Sequence, residues 1–476
     1  MNTSSQQHIQ AIILAAGRSS RFKTGTTKLS FTLCGQEMIV YPVKTLAELT
    51  IPTTLVIGYQ KEAVQSIIAH HKLMVTYAEQ KQQLGTGSAV AITKSLWHAD
   101  NILIMNGDMP LVTKEIITSL IEKHTQSQAT VSFVTAYNAD PSVVGYGRVV
   151  QKGSDYQIIE AADFTGNPSE ECYINAGIYI FKRAFLEHYC EQLTPHNNKK
   201  ELYLTDLIAI AKQANGYRTE TVIAPFDYIR GINTLKELWA SEHIKRSELI
   251  SYWMEQGVHF SAAQTTHLDM NVSIGTGTRI ESGARILAGS HIGNYCLIDA
   301  GSIVANSTLA DHVMVKPYSV IKDSMIGTQS EIGPFAHIRS NSTIGSQSVV
   351  GNFVEVSQTT IADKTKIKHL SYLGNAHVGS EVNIGAGTIV CNYNGVTKTK
   401  STTIIEDHSL IGSNNSIVAP VKIAHHAVTA AGSTITQDVP EYALALGRAR
   451  QINKENYRAP QPFMAAKKSD DSTVQE

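Results

Sequence analysis

The sequence predicts two halves of different class: an α/β domain with a mostly parallel sheet, then an all-β parallel β-helix, joined by one helix. Three observations carry this. Short apolar runs alternate with helical patterns up to about residue 233. Residues 234–256 then contain no Gly or Pro and keep apolar residues near helical spacing. From Ile274 onward an aliphatic residue recurs at every sixth position.

In the first half, Ile12–Leu14, Thr54–Ile57, Ile102–Met105 and Val131–Val134 read as strands, with "KEAVQSIIAHH" and "KEIITSLIEKH" as helices between them. Ligands of such sheets bind beyond the carboxyl ends of the strands. Two segments occupy those ends. The run "AIILAAGRSSRF" (11–22) empties into a small-residue turn, Ala15-Ala16-Gly17, flanked by Arg18 and Arg21. Glycine lets backbone N–H groups approach a phosphate, and Arg supplies bidentate donors. "MNGDMP" (105–110) places Asp108 at a second strand end. That carboxylate suits Mg²⁺, which is held by one or two protein ligands plus substrate phosphates, or it serves as an ordinary turn residue. Lys28 either neutralises a leaving pyrophosphate or is solvated, and Gly85 and Gly87 of "QQLGTGSA" either admit a flat ring or phosphate or belong to a plain loop.

The linking stretch places Leu235, Leu238, Trp239, Leu249, Trp253 and Met254 on one expected apolar face, with Gly257 as the stop. The sixfold step then runs through Ile274, Ile280, Ile286, Ile292, Ile298 and Val304, and onward to Ile405, Ile411, Ile417 and Ile423. Neither a helix nor a single strand has that period. A triangular solenoid does, with three hexapeptides per coil and one inward aliphatic per side. Strands stacked about 4.8 Å apart make residues 274–435 roughly nine coils in a prism about 40 Å long. The step shortens to five at 304→309, 321→326, 356→361 and 373→378, and lengthens to fifteen between Val390 and Ile405. The excess, "CNYNGVTKTKST" (391–402), must leave the prism as a loop, and a polar loop on a solenoid is a site candidate. Beside it, "HLSYLGNAHVGSEVNIGAGTIVCNYNG" gathers His369, Tyr372, Asn383 and Asn392. His369 is a candidate general base, and Arg339 of "FAHIR" could reach an anion on the same surface.

Bulk properties narrow the class. A formal charge of −1 over 476 residues supplies no field for nucleic acid or an acidic membrane. Five cysteines, widely spaced and in no metal-ligand pattern, fit a reducing cytoplasm rather than a disulfide framework or structural zinc. The N-terminus lacks a basic leader, and no window has the length of a membrane span. The expected division is 1–235, a helical linker over 236–256, the β-helix over 257–460 and a disordered tail over 461–476.

Taken together, these segments closely resemble the bifunctional bacterial enzymes that are both glucosamine-1-phosphate acetyltransferase and N-acetylglucosamine-1-phosphate uridylyltransferase. The likeness runs in register from about residue 10 to about residue 455, through "LAAGRSSRF", "LGTGSA", "NGDMP", "GYGRVV", "YINAGIY", "ELYLTD", "GIN", "GPFAHIR", "GNFVEV", "HLSYLGNA", "NIGAGTIVCNYNG", "GSNNSIVAP" and "AAGST". It implies a Rossmann-like nucleotidyltransferase domain and a left-handed β-helix of hexapeptide repeats, forming a cytoplasmic homotrimer that makes UDP-N-acetylglucosamine for cell-wall precursors. In the first domain it implies Mg²⁺-dependent transfer from UTP. Leu14, Ala15, Ala16, Gly17, Gln80, Gly85 and Thr86 would hold the uridine end, with Lys28 near the phosphates and Asn106, Gly107 and Asp108 near the nucleotide. Gly147, Glu160, Asn175 and Asn233 would hold the sugar side, and Asp108 with Asn233 the metal. In the second it implies acetyl-CoA as donor and His369 as base. Arg339, Tyr372, Asn383 and Asn392 would then bind the sugar phosphate, and Ala386, Asn392, Tyr393, Ser413, Ala431 and Arg448 the acetyl-CoA.

The chain departs from that pattern in places. Ser19-Ser20-Arg21 stands for the usual Gly-Thr-Arg and looks like the molybdopterin nucleotidyltransferases, which lack a long β-helix. Asn106 stands where an aromatic is common, "TGTTK" lacks a Pro before Lys28, and "IIEAADF" lacks a Lys. After "GNFVE" the family places two lysines, whereas this chain has Val356-Ser357-Gln358. Ser357 can hydrogen-bond a sugar phosphate but brings no charge, an expected cost of about 1.5–3 kcal/mol, or roughly 10- to 150-fold in affinity. Two other readings stay open: a uridylyltransferase with a weak or altered second half, and a β-helix that only trimerises. His369 beside an intact CNYNG loop speaks against a bare scaffold.

Overall fold

The computed structural model describes residues 8–138, 145–152, 155–166, 172–195, 197–198, 200–213, 217–455 and 457. The tail over 461–476 and the first seven residues lie outside them. The opening strand, Ile9–Ala15, lies between Thr53–Ile57 and Asn101–Asn106, parallel to both, and Thr76–Glu79 extends the row. Cys172–Lys182 pairs antiparallel with Asn101–Asn106 on the other side, followed by Val131–Asn138 and Thr219–Ile223. Ile13 faces one apolar cluster and Ile12 the other, so the strand is buried on both faces. That is why it reads as a continuous apolar run rather than an alternating one.

The linking helix is Leu235–Glu255, begun by a capping box: Thr234 Oγ1 accepts from Glu237 N (3.2 Å), and Glu237 Oε2 accepts from Asn233 N (2.7 Å). Its expected apolar face is corrected. Trp239 is 61% exposed and Leu235 and Met254 are exposed, while Ser241, Arg246 and Ile250 are buried. The helix bridges two bodies instead of covering one: Leu238 packs on the first core, and Ile250 and Trp253 on that of the β-helix. A helix with contacts on several faces has no single stripe.

Beyond it stand three all-parallel sheets of 11, 10 and 9 strands, one per side of a prism that begins at His259–Phe260. Successive rungs are 18 residues apart where all three sides have six, as from Arg279 to Leu297, and 17 where one side has five, as from Leu297 to Met314. Every aliphatic of the sixfold series from Ile274 to Ile423 is buried in one continuous core. The fifteen-residue step does leave the prism, as a hairpin pairing Tyr393–Asn394 with Thr399–Lys400. Corner residues take left-handed backbone, and at one corner Tyr318, Phe335 and Phe353 stack with centroids 5.5 and 5.3 Å apart.

Candidate active sites

The parallel strand ends Ala15, Asn106 and Glu79 open on one cleft in two lobes. A cavity of about 290 Å³ runs from Leu14–Gly17 to Gln80, Gly85 and Thr86, with Lys28, Asn106 and Asp108 at its inner end. A second, of about 190 Å³, shares Leu14, Thr86, Asn106 and Asp108 and adds Gly147, Glu160, Asn175 and Asn233. The structure thus brings together every residue expected for uridylyl transfer except Gly107. That glycine lies behind the cleft, donating its N–H to Leu14 O (2.9 Å), where a Cβ would fall 2.8 Å from Ile39 Cδ1.

Each wall has a local cause. Gly85, at φ +108, opens the helix Thr86–Ala91, and a Cβ there would lie 2.6 Å from Leu202 O. Its glycine therefore answers to close packing against the Leu202 backbone as well as to ligand space. Cys172–Lys182 bulges between Asn175 and Tyr179 around Gly177, whose missing Cβ leaves room for Asn106 Nδ2. Within that bulge Asn175 Nδ2 donates to the buried Tyr179 hydroxyl (2.5 Å), whose pKa burial raises far above the phenolic norm. Glu160 Oε1 accepts from Thr205 Oγ1 (2.8 Å) across the floor.

Where the lobes meet, the Lys28 ammonium sits between two oxygens. It is ion-paired with the Asp108 carboxylate and donates to Asn233 Oδ1 (2.7 Å), which also accepts from Arg21 Nη2 (2.8 Å). A carboxylate and an amide oxygen converging on one cation are hard donors of the kind Mg²⁺ takes. Among the described residues no cluster of three His, Cys, Asp or Glu could hold a metal, so any ion here would rely on this pair and substrate oxygens. Arg18 is exposed. Sequence reasoning missed Gln83, which donates to Ala16 O (2.5 Å), and Ser19, which accepts from Lys28 N (3.0 Å).

The second set lies on the β-helix. His369 ends the strand Lys366–His369 at a corner, and its Nδ1 lies 2.9 Å from Oδ1 of Asn352 one coil below. The same corner carries Ala386, Ser413, Ala431 and Arg448 on the following coils, in a ladder that includes Gly387 N to Leu370 O, Asn414 N to Ala386 O and Gly432 N to Ser413 O. Small residues above His369 make that edge low and open, whereas the stacked aromatics lie below it.

One side further round, Arg339, Ser357 and Gly374 stand in register on successive coils. Arg339 pairs with Glu355 through Nε and Nη2 (2.8 and 2.6 Å), and Asn392 Nδ2 donates to Asn375 Oδ1 (2.7 Å). Tyr372 spans the side between the two edges, with its hydroxyl closing over Gly374. Asn383 and Tyr393 are exposed. Ser357 is only 3% exposed.

The first half matches the MobA-like NTP transferase domain over residues 11–163, and the β-helix matches the GMPPB C-terminal domain over 268–343 and the hexapeptide repeat of succinyl-transferase over 402–437. Whole-length relatives decide between the families these halves could join. "Bifunctional protein GlmU" of an Exiguobacterium species is 38% identical over 452 residues, covering 94% of this chain and 98% of the relative. The chain belongs to the GlmU family. Proteins of the same name from Thermotoga maritima (38%, 94% of this chain, 98% of the relative) and Clostridium botulinum (37%, 94% and 97%) agree in extent. As in other GlmU proteins, both halves belong to one bifunctional enzyme, a nucleotidyltransferase and an acetyltransferase. A GlmU assignment also removes the molybdopterin reading of Ser19-Ser20-Arg21.

Proposed function

We propose the following division of labour. In the β-helix, glucosamine-1-phosphate is N-acetylated from acetyl-CoA. His369 Nδ1 is turned toward Asn352 Oδ1, so Nδ1 holds the proton and Nε2 is left as the free base. Nε2 takes a proton from the sugar amine as nitrogen attacks the thioester carbonyl and coenzyme A leaves as the thiol. In the cleft, a phosphate oxygen of N-acetylglucosamine-1-phosphate attacks the α-phosphorus of UTP in line, and pyrophosphate leaves. The nucleotide occupies the lobe at Gly17 and Gln80, the sugar the lobe at Asn175 and Glu160. Lys28 and Arg21 face the negative charge that develops between them. Mg²⁺, held by Asp108 and Asn233, would supply charge neutralisation to the phosphates.

The single observation that carries the second activity is the oriented imidazole on an open corner. The family carries the first. The assembly we favour is a homotrimer through the β-helix, in which a neighbouring prism covers the exposed stack Tyr318–Phe335–Phe353. A cytoplasmic location fits the five free thiols, and no described helix is long and apolar enough to cross a membrane. The test is His369→Ala in the full chain. Thiol release from acetyl-CoA with glucosamine-1-phosphate falls by about 10²–10⁴-fold while uridylyl transfer persists. Equal loss of both activities would overturn the division.

A further inference from the structure

The segment Gly231–Asn233 carries one of the two oxygens offered to a metal, and its three successive backbone N–H groups are each held by a different partner. Ile232 N donates to Asp108 O (2.9 Å), and Asn233 N to Glu237 Oε2 (2.7 Å). Gly231 N donates to the Tyr146 hydroxyl (3.1 Å), which donates back to Gly231 O at 3.4 Å. Asp108 belongs to the metal end of the cleft and Glu237 to the linking helix. Of the three partners only Tyr146 comes from the sugar lobe. It stands between Gly145 and Gly147, and Gly147 O accepts from Asn175 N (2.8 Å). The peptide it grips lies against the metal pair: a Cβ on Gly231 would fall 3.5 Å from Asp108 Oδ1 and 3.8 Å from Asn233 Nδ2.

The phenol is built as a strut. Its ring packs edge-on against Phe226, with centroids 5.6 Å apart. Burial pushes its pKa up to about 12, and the nearby Glu237 and Asp108 carboxylates add to the rise, so the hydroxyl stays protonated and can accept and donate at once. One hydroxyl bonded to both ends of the same residue fixes where that peptide lies. A sugar seated at Gly147 and Glu160 therefore acts on Tyr146, and through it on the segment that presents Asn233. We infer that Tyr146 is a positioning residue that couples the two lobes: a hexosamine 1-phosphate in one and a divalent cation on Asp108 and Asn233 strengthen each other's binding through the Tyr146–Gly231 hydrogen bond. Such coupling is reciprocal by linkage. The inference rests on the proposed uridylyl transfer and deepens it.

The variant is Tyr146→Phe, which keeps the ring against Phe226 and removes the hydroxyl. Titration calorimetry on the full-length chain measures the affinity for UDP-N-acetylglucosamine, which fills both lobes, and for UTP, which leaves the sugar lobe empty, each with and without Mg²⁺. In the parent, Mg²⁺ tightens the binding of both. In Tyr146→Phe the gain for UDP-N-acetylglucosamine shrinks by about 2- to 12-fold, the worth of one neutral hydrogen bond, while the gain for UTP and the rate of acetyl transfer stay as in the parent. A plain sugar contact would weaken UDP-N-acetylglucosamine by the same factor with and without Mg²⁺, and a general packing role would weaken both ligands alike. Either result overturns the inference, as does a Mg²⁺ gain that is unchanged for both ligands. A parent that binds UDP-N-acetylglucosamine with no gain from Mg²⁺ overturns it too, yet leaves the nucleotide cleft standing. If the parent binds neither nucleotide, the uridylyl-transfer reading itself fails.

Discussion

Lys28 holds together the two residues that would bind the metal, and its removal separates two roles of one ammonium. The substitution is Lys28→Met, which keeps the stem and removes the charge. Lys28 and Asp108 side chains are only 14% and 16% exposed, so their pairing is shielded from water, and the same ammonium donates to Asn233 Oδ1 at 2.7 Å. A divalent ion reaching these oxygens must first displace Lys28. Breaking a charge-assisted hydrogen bond costs about 1.5–3 kcal/mol, so without nucleotide Mg²⁺ should bind Lys28→Met roughly 10- to 150-fold more tightly than the parent. Uridylyl transfer moves the opposite way, falling by about 10²–10³-fold as one preorganised charge is lost from the phosphates. Titration calorimetry of the nucleotide-free protein with Mg²⁺ reads the first effect, and pyrophosphate release the second. Equal or weaker Mg²⁺ affinity in the variant would refute the idea that the lysine occupies the ion's place.

Two further outcomes test the scaffolds behind the sites. His124, on the helix Lys114–Ser127, is 3% exposed between Ser132 and Asn101, and burial, with a smaller contribution from Lys182, lowers its pKa to about 4. The unfolded imidazole titrates near its ordinary value of about 6.5, so between these values the unfolded chain binds a proton that the folded one refuses. Stability from this residue is complete above about pH 6.5 and falls by about 1.4 kcal/mol per pH unit toward pH 4. Denaturant melts at about pH 7 and about pH 5 should differ more in the parent than in His124→Gln. In the prism, Ile338→Ala should cost about 2–5 kcal/mol; a loss below about 1 kcal/mol would mean that this fully buried position collapses around the gap.

Most of the fold was legible because both halves are periodic. A strand buried on both faces and a coil with one inward aliphatic per side write their geometry directly into residue spacing, and Ile12–Leu14 and the sixfold series sit where that spacing places them. The linking helix was misread for a related reason. Its spacing suggested one stripe, but it contacts two cores, and Trp239 lies outside both. At the sites, motif residues at strand ends converge as expected, because topology alone brings Gly17, Asn106 and Gln80 to one cleft. Asn233 shows the limit. The capping box Thr234–Glu237 marks where its helix starts, yet nothing local says that this start meets Asp108 and Arg21, 125 and 212 positions away. The contact of Lys400 with Gln358 is illegible in the same way, since it is set by the return path of a hairpin.

The two halves hold a lysine in two ways. In the cleft, Lys28 rests on a carboxylate, so its charge is cancelled until something else satisfies Asp108. On the prism, Lys400 rests on an amide, and its charge is available from the start. Uridylyl transfer gathers a triphosphate and a second phosphate, and a resting cation beside Asp108 keeps that carboxylate from lying unpaired before these arrive. Acetyl transfer passes no charge to phosphorus.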